Sequence, residues 1–310
     1  MIVLTHQIAG ITFRTESDLF IPHLQGDSFE RFKVTERAPD VYSRIRRLTL
    51  DTQHTADPDA EERTLFSSFI GFERRWFDNP ILWSYPVRSR LHECLDRRDR
   101  VSFRITGRGV IIHDFVKNEL DIFYASGLED FFDSPSVVAG FRNMIAGFMP
   151  NFDAVMIHGA GVLGNGSAAL FLAPDEGGKT SVVRCSNSSH VLNDDQLILR
   201  RGGGMIFSHG TPFGLITDGP WAARIGGTFL LEKGERFDLS PIKPRDAFLH
   251  LWNENRHHRF FLPKHMKTNT FEILIDACHQ APAYRMSFPK DCVDWDAIDA
   301  AMEKECDSGA

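Results

Sequence analysis

The stretch FLAPDEGGKTSVV, residues 171–183, limits the fold of this chain more than any other segment. Its Gly-Gly-Lys-Thr ending is typical of a phosphate-binding loop, in which backbone N–H groups surround phosphate oxygens where a strand passes into a helix. The apolar run before it predicts a buried strand over 168–172, and a helix is expected to begin at Lys179 or Thr180. A strand, a glycine-rich loop and a helix in this order predict a nucleotide-binding α/β domain.

Two features of the loop depart from the standard pattern. Ala173 stands where the first glycine is expected, and Asp175 and Glu176 place two carboxylates where a polyanion would lie. Alanine fits that position if its φ stays negative, and each carboxylate weakens the binding of a triphosphate by only about 1–2 kcal/mol. The alternative is that the glycine pair forms an ordinary turn and that Lys179 is a solvated side chain.

The pattern along the chain divides it into two parts. Short alternating runs between Ile2 and Thr49 predict a small, mostly antiparallel sheet, and residues 101–125 predict hairpin-connected strands. From about residue 134, apolar strands alternate with glycine-rich turns and helices. We therefore predict a strand-rich domain over 1–133 and a P-loop domain over 134–310, an α/β architecture within a chain that is α+β overall. Helices are predicted over 86–99, 134–149, 244–263 and 293–305.

Composition and charge exclude several classes of protein. The 310 residues carry a formal net charge of −7, which argues against a broad basic surface for nucleic acid. The five cysteines are widely spaced and include no Cys-x-x-Cys pair, so we expect a reducing compartment and neither a disulfide framework nor a zinc site. No segment reaches the roughly 20 apolar residues of a membrane span, and the N-terminus lacks a secretory pattern. We expect a cytoplasmic protein.

Residues on both sides of the loop carry a resemblance to a known family. His158 lies in MIHGAGV before the loop, and Asp194 and Asp195 lie in VLNDD after it. The order of a His-Gly strand, a P-loop and an acidic pair resembles the core of the HPr kinase/phosphorylase family. Weaker likeness occurs in HGTPFGL and GGTFLLEKGERFDLSPI. Residues 1–130 do not resemble that family's own N-terminal domain and look more like the variable front half of uncharacterised or peptide-modifying relatives.

The resemblance implies an ATP-dependent, Mg²⁺-dependent kinase that phosphorylates a hydroxyl, foremost that of serine, on a peptide, protein or small molecule. It also implies an HPr-kinase/PEP-carboxykinase-like fold for the P-loop domain. His158, Asp194 and Asp195 are the expected catalytic group, with Asp194 favoured as the base, and Thr180 and Asp195 are the expected metal ligands. The residues expected to bind the nucleotide are Asp175, Glu176, Gly177, Gly178, Lys179, Thr180 and Ser181.

Other functions stay open at this point. Asn193 replaces the small residue that usually precedes the acidic pair, and the signature that carries phosphorylase function is not recognisable, so reverse phosphorolysis is not expected. A catalytically inactive nucleotide-binding regulatory or scaffold protein is the main alternative, because the changes in the loop are also consistent with lost catalysis. A carboxykinase-like phosphotransferase is a further one. The acceptor, the choice between ATP and GTP, and homo-oligomerisation are left open.

Two histidine-containing segments have less specific interpretations. The segment SHGTPFG is either a substrate-facing loop or a simple turn, formed by His209, Thr211 and Pro212. Four further histidines lie near a predicted helix, where adjacent side chains point about 100° apart. We interpret them as a solvated or anion-facing surface and not as a zinc site; they are His250, His257, His258 and His265.

Overall fold

The computed structural model describes residues 1–18, 25–35, 37–48, 84–94, 100–106, 109–125, 135–164, 166–186, 190–219, 221–255, 262–289 and 293–303. They form a mixed α/β chain that divides into two compact units. The first unit comprises Met1–His6, Ile11–Gln25 and Lys33–Met144, and the second comprises Gln7–Gly10, Gly26–Phe32 and Ile145–Ala310. The boundary predicted between residues 133 and 134 lies outside the described residues.

The described strands are β1 (Ile2–Ile8), β2 (Ile11–Ser17), β3 (Val41–Leu48), β4 (Val101–Thr106), β5 (Gly109–Asp114), β6 (Glu119–Ala125), β7 (Ala154–His158), β8 (Ala160–Gly164), β9 (Ser167–Leu172), β10 (Val191–Asn193), β11 (Gln196–Gly202), β12 (Met205–His209), β13 (Ala222–Lys233), β14 (Asp238–Pro241) and β15 (Ala283–Phe288). The described α-helices are α1 (Asp27–Glu30), α2 (Tyr85–Glu93), α3 (Pro135–Phe148), α4 (Lys179–Arg184), α5 (Pro244–Glu254), α6 (Lys264–Gln280) and α7 (Trp295–Glu303).

The first sheet has the strand order β1-β2-β3-β6-β5-β4. The predicted hairpins over 101–125 are confirmed, because β4 and β5 pair antiparallel, as do β5 and β6. The expectation of a mostly antiparallel sheet over Ile2 to Thr49 does not hold for β2 and β3, which pair parallel, and β3 also pairs parallel to β6. The connection from β2 to β3 runs from residue 18 to residue 40, which is long enough for the crossover that parallel strands need.

The second sheet has the strand order β10-β8-β9-β13-β12-β11-β7, and β15 pairs with β13 and β14 off this path. Strand β9 lies between β8, to which it is antiparallel, and β13, to which it is parallel. The predicted strand over 168–172 is confirmed, as is a helix that begins at Lys179. Helix α6 has no counterpart in the sequence prediction.

Strand β9 is buried on both faces of the second sheet. Alternate residues of the strand belong to two different hydrophobic clusters, as the two-residue period of a strand requires. Leu170 and Leu172 belong to the cluster that includes Leu251 of α5 and Ile273 of α6. Phe171 belongs to the cluster that includes residues of α4 and α7. The strand that leads into the P-loop is therefore fixed on both sides.

The helices have bounds that differ in places from the prediction. Helix α7 confirms the predicted amphipathic C-terminal helix, and α5 begins at Pro244 as expected but ends at Glu254. The part of the chain that the structure describes contains no helix that is both long and apolar enough to cross a lipid bilayer.

Candidate functional site

The loop between β9 and α4 is closed by a contact that only glycine permits. A Cβ atom on Gly177 would lie 2.5 Å from Ala173 Cβ and 2.9 Å from the carbonyl oxygen of Pro174. The Gly177 N–H donates to that same oxygen at 3.0 Å. The methyl group of Ala173 therefore faces the position where Gly177 lacks a side chain. Glycine at position 177 therefore accommodates both the methyl group of Ala173 and the carbonyl of Pro174.

The tip of the loop has two residues in the left-handed region. Gly178 has a φ of 100°, and a Cβ there would lie 2.9 Å from Phe288 Cζ. Glu176 has a φ of 60°, which costs a residue other than glycine about 1 kcal/mol. Asp175 and Glu176 are both exposed, so their carboxylates reach solvent while the backbone makes the turn. The loop thus turns tightly through two left-handed residues and carries two exposed carboxylates at its tip.

Lys179 is buried at the base of the loop. Its Nζ donates to the carbonyl oxygens of Ala173 at 2.8 Å and Pro174 at 3.1 Å. Burial lowers the pKa of the Lys179 ammonium, and the carboxylates of Asp195 and Asp175 act in the opposite direction. The alternative of a solvated lysine is therefore wrong, because only 6% of its surface is exposed.

Asp194 connects the start of α4 to the turn between β10 and β11. Its Oδ2 accepts a hydrogen bond from the Thr180 hydroxyl at 3.0 Å. Its Oδ1 accepts from the backbone N–H groups of Leu215 at 2.9 Å and Ile216 at 3.0 Å. The residue is 2% exposed, and each of these bonds is partly buried because its donor lies nearer to solvent. Asp194 is rigidly placed beside the hydroxyl that a P-loop uses to bind a metal ion.

Asp195 lies in the same turn but has different neighbours. Its Oδ1 is 3.0 Å from His158 Nε2, and its Oδ2 accepts a hydrogen bond from Gln196 Nε2 at 3.1 Å. Its side chain is 35% exposed, in contrast to that of Asp194. The two adjacent aspartates therefore reach the same region but have different environments. Asp194 is buried against helix α4, and Asp195 is accessible beside His158.

His158 ends β7 and is placed by the pairing of β7 with β11, in which His158 lies opposite Gln196. The following N–H, of Gly159, donates to the carbonyl oxygen of Asp195 at 2.9 Å. A Cβ on Gly159 would lie 2.8 Å from Leu172 Cδ2, so glycine is needed where this corner touches the end of β9. The His-Gly pair therefore joins the P-loop strand to the acidic turn.

Residues at the C-terminal end of helix α5 also contact His158. The side chain of Asn255, just beyond the helix, accepts a hydrogen bond from the His158 N–H at 2.8 Å and donates to the Leu251 carbonyl at 2.7 Å. The carboxylate of Glu254 lies 4.0 Å from His158 Nδ1. Sequence reasoning missed both residues. For Glu254, the available signal was its four-residue spacing from His250, which places the two side chains on one face of a helix.

His250 belongs to the surroundings of this site. Its Nε2 is buried and has no hydrogen-bond partner among the described residues. Burial lowers the pKa of the His250 imidazole; the carboxylate of Glu254 raises it, and Lys179 and His158 lower it further. His250 is therefore partly buried and not fully solvated, and the anion-facing half of the interpretation stays a prediction. His265 is exposed, whereas His257 and His258 lie outside the described residues.

The segment from His209, the last residue of β12, to Thr217 packs against Asp194. Thr211 is fully buried, and its hydroxyl donates to the Gln196 carbonyl at 2.8 Å, so its contacts are structural. A Cβ on Gly214 would lie 2.6 Å from Asp194 Oδ1, which shows how closely this segment approaches the acidic turn. Burial lowers the pKa of the His209 imidazole to about 4, and the positive charge of Arg200 contributes. Pro212 is also buried.

Two sets of side chains have the chemistry of a divalent-cation site. One is the Thr180 hydroxyl with the Asp194 carboxylate, an all-oxygen pair of the kind that Mg²⁺ prefers. The other comprises His158, Asp175 and Asp195, whose ligand atoms lie within 4.8 Å of one another. Within it, His158 Nε2 lies 3.3 Å from Asp175 Oδ1. A mixed nitrogen and oxygen set of this type suits a transition metal such as Zn²⁺ or Mn²⁺ better than Mg²⁺.

The structure brings most of the predicted site residues together. His158, Lys179, Thr180 and the two aspartates meet where β7, β9 and β10 end. Glu176 and Ser181, predicted to bind nucleotide, make no side-chain hydrogen bond or ion pair with these residues in the described part of the chain. Glu176 is exposed at the loop tip, and Ser181 is partly buried in the first turn of α4.

Neither a protein-family model nor a curated protein sequence matches this chain. The HPr-kinase-like assignment therefore stays a prediction from the motif and the site.

Proposed function

We propose that this chain is an ATP-dependent kinase of the HPr-kinase-like type, which transfers the γ-phosphoryl group to a hydroxyl of a peptide, protein or small molecule. The observation that carries the proposal is the hydrogen bond between Thr180 in the P-loop helix and Asp194, with Asp195 and His158 alongside. Phosphoryl transfer needs phosphate binding, a metal ligand set and a base within one site. This site has candidates for all three.

The phosphate chain is assigned to the loop that precedes α4. The N–H groups of Gly178, Lys179 and Thr180 open the helix, where amides have no partner within the helix. The Lys179 ammonium is held at the base of the loop by two carbonyl oxygens, from where its charge compensates that of the terminal phosphates. The acids at the loop tip are exposed, so they repel a bound phosphate less than buried carboxylates would.

The metal ligands are assigned to Thr180 and Asp194. The two oxygen atoms are already 3.0 Å apart, and the second carboxylate oxygen of Asp194 is fixed by two backbone N–H groups. Mg²⁺ bound there would neutralise charge on the β- and γ-phosphates. These contacts favour the opposite of the assignment made from the sequence, in which Asp195 holds the metal and Asp194 is the base.

The base is assigned to Asp195, because it is the more accessible of the two carboxylates and is held by His158 and Gln196. The acceptor oxygen forms a bond to the γ-phosphorus while the bond from that phosphorus to the bridging oxygen of ADP breaks. The hydroxyl proton passes to the Asp195 carboxylate, and ADP leaves with the electron pair of the broken bond. The imidazole Nε2–H of His158, 3.0 Å from Asp195 Oδ1, would stabilise the carboxylate before transfer.

Mass spectrometry of the products tests this function. The wild-type chain is incubated with ATP, Mg²⁺ and the peptides or proteins encoded beside its gene, and Lys179→Ala serves as the inactive control. The expected result is a phosphorylated acceptor and ADP with the wild type alone. If ATP binds in calorimetry but no acceptor is phosphorylated, the inactive regulatory or scaffold protein is the better description. Absence of ATP binding contradicts both functions.

A further inference from the structure

We infer that Asn193 is a positioning residue for phosphoryl transfer, because its side chain holds the turn that presents Asp195 to the acceptor. The inference rests on the proposed kinase function. Consecutive residues of a strand point to opposite faces of the sheet, so an Asp-Asp pair in a regular strand would place only one carboxylate in the site. The chain avoids this by ending β10 at Asn193 and beginning β11 at Gln196.

The Asn193 side chain makes this break in the strand. Its Oδ1 accepts hydrogen bonds from the N–H groups of Asp195 and Gln196, both at 2.8 Å. A side-chain oxygen that binds the amides two and three residues further on replaces the strand ladder by a turn. The side-chain amide also donates to the Thr211 carbonyl at 2.8 Å. The residue has no exposed surface, so the arrangement is shielded from water.

Asn193 acts on Asp195 more than on Asp194. Asp194 has its own anchors in Thr180, Leu215 and Ile216, and these do not involve the Asn193 side chain. The backbone N–H of Asp195, by contrast, depends on Asn193 Oδ1. Loss of the asparagine side chain should therefore displace the proposed base while leaving the proposed metal ligand in place.

The packing around Asn193 also indicates that its side chain holds the turn. A Cβ on Gly214 would lie 2.4 Å from Asn193 Oδ1, so the covering segment has a glycine where it passes over this side chain. A small residue at position 193, as in the family that the chain resembles, would leave both amides without this acceptor. The asparagine is thus a built feature of this chain and not a neutral departure from the pattern.

The test compares Asn193→Ala and Asn193→Ser with a control in the same region. Serine keeps a side-chain oxygen that can bind one of the two amides. The control is Thr217→Val, which removes a buried hydroxyl whose hydrogen bonds go to the Leu192 carbonyl at 2.9 Å and the Gly219 N–H at 3.4 Å and not to either aspartate. Each variant is measured by thermal unfolding, by calorimetry with ATP and Mg²⁺, by steady-state transfer, and by hydrogen exchange at the amides of Asp195 and Gln196.

For Asn193→Ala we expect transfer to fall by about 10²-fold, since the base is displaced, with the ATP dissociation constant within about threefold of the wild type. Exchange at the amides of Asp195 and Gln196 should be about tenfold faster, because each loses its hydrogen-bond acceptor. Asn193→Ser should lie between the alanine variant and the wild type. Thr217→Val should unfold at a lower temperature but keep wild-type transfer and exchange at those two amides.

The inference is overturned if Asn193→Ala transfers at the wild-type rate, or if it loses ATP affinity and transfer in equal proportion, as a purely structural residue would. Unchanged exchange at the two amides overturns it as well. The exchange measurement needs no acceptor. If the wild type phosphorylates nothing, the proposed function fails on its own, and exchange in the variants still decides whether Asn193 holds the turn.

Discussion

The Thr180 hydroxyl lies 3.0 Å from Asp194 Oδ2, so the first turn of the P-loop helix is bonded directly to the acidic turn that follows it by 14 residues. This bond occupies the two oxygen atoms that would bind a metal ion together. A cation at this position would exchange the hydrogen bond for two metal–oxygen contacts. In the proposed function this pair would make Asp194 the metal ligand and leave Asp195 for proton transfer.

Exchanging each aspartate for asparagine should separate these two roles. Asp194→Asn should lower Mg²⁺-dependent ATP affinity and transfer together, because the amide cannot replace a charged metal ligand. Asp195→Asn should reduce transfer by about 10²–10⁴-fold, the usual contribution of a general base, with ATP affinity nearly unchanged. Calorimetry at varied Mg²⁺ concentration and a steady-state transfer assay measure both effects. The reverse pattern would restore the assignment made from the sequence.

Lys179→Ala should weaken ATP binding by about 10- to 100-fold, which corresponds to loss of one charge-assisted hydrogen bond. The fold should survive, because the lysine closes the loop and does not fill the hydrophobic core. The free energy of unfolding should fall by about 1 kcal/mol, since two loop carbonyls lose a donor. Lys233→Ala removes an exposed lysine from β13 and is the matched control for both measurements. Unaltered ATP affinity in Lys179→Ala would remove the nucleotide site.

Much of the P-loop region was predictable because its signals are local. The apolar run of β9, the glycine pair and the first turn of α4 lie within one short segment, and each follows from short-range backbone chemistry. The parallel pairing of β2 with β3 was not predictable in this way. A strand's partner depends on where a long connection returns, and the alternation of residues within the strand does not record it.

Most members of the site were predictable, but their arrangement was not. The aspartates adjacent to each other in sequence have equal chemistry, and only the hydrogen bonds of Asp194 to Leu215 and Ile216 show which of the two is buried. Those donors lie more than 20 residues further along the chain, in a segment whose composition indicates only a turn. Asn255 was missed for the same reason, since its bond to His158 spans 97 residues.

Gly177→Ala should distort the loop, because the new methyl group would meet Ala173 Cβ at 2.5 Å. We expect loss of ATP affinity and a fall in the free energy of unfolding by about 1–3 kcal/mol, as overpacking at a close contact costs. Adding Ala173→Gly to this variant should restore part of the ATP affinity and part of the free energy of unfolding, because the opposing methyl group is removed. The Pro174 carbonyl, 2.9 Å from the new atom, prevents full recovery.

A double-mutant cycle of these two substitutions measures the coupling between positions 173 and 177. Ala173→Gly alone should change ATP affinity little, since glycine is the residue that this loop position ordinarily has. If the two substitutions are additive in their effect on the free energy of unfolding, Gly177 is not required because of the alanine at position 173.

His209 should make the protein less stable in acid. Burial holds the pKa of its imidazole at about 4, below the unfolded value of 6.5, so the unfolded chain binds the proton more readily. The resulting loss of unfolding free energy is absent well above pH 6.5 and grows as the pH falls towards 4. It should reach about 2 kcal/mol of unfolding free energy near pH 5. Urea unfolding of wild type and His209→Gln at several pH values measures it.

The difference between these two proteins isolates His209 from the other titrating groups, because both proteins share them. The wild type should lose more stability than His209→Gln as the pH falls from 7 to 4, and the gap should stop widening once the native imidazole is protonated. His265→Gln, which replaces an exposed histidine on α6, should follow the wild-type curve. Parallel curves for wild type and His209→Gln would mean that the imidazole near Arg200 is protonated in the native state without cost.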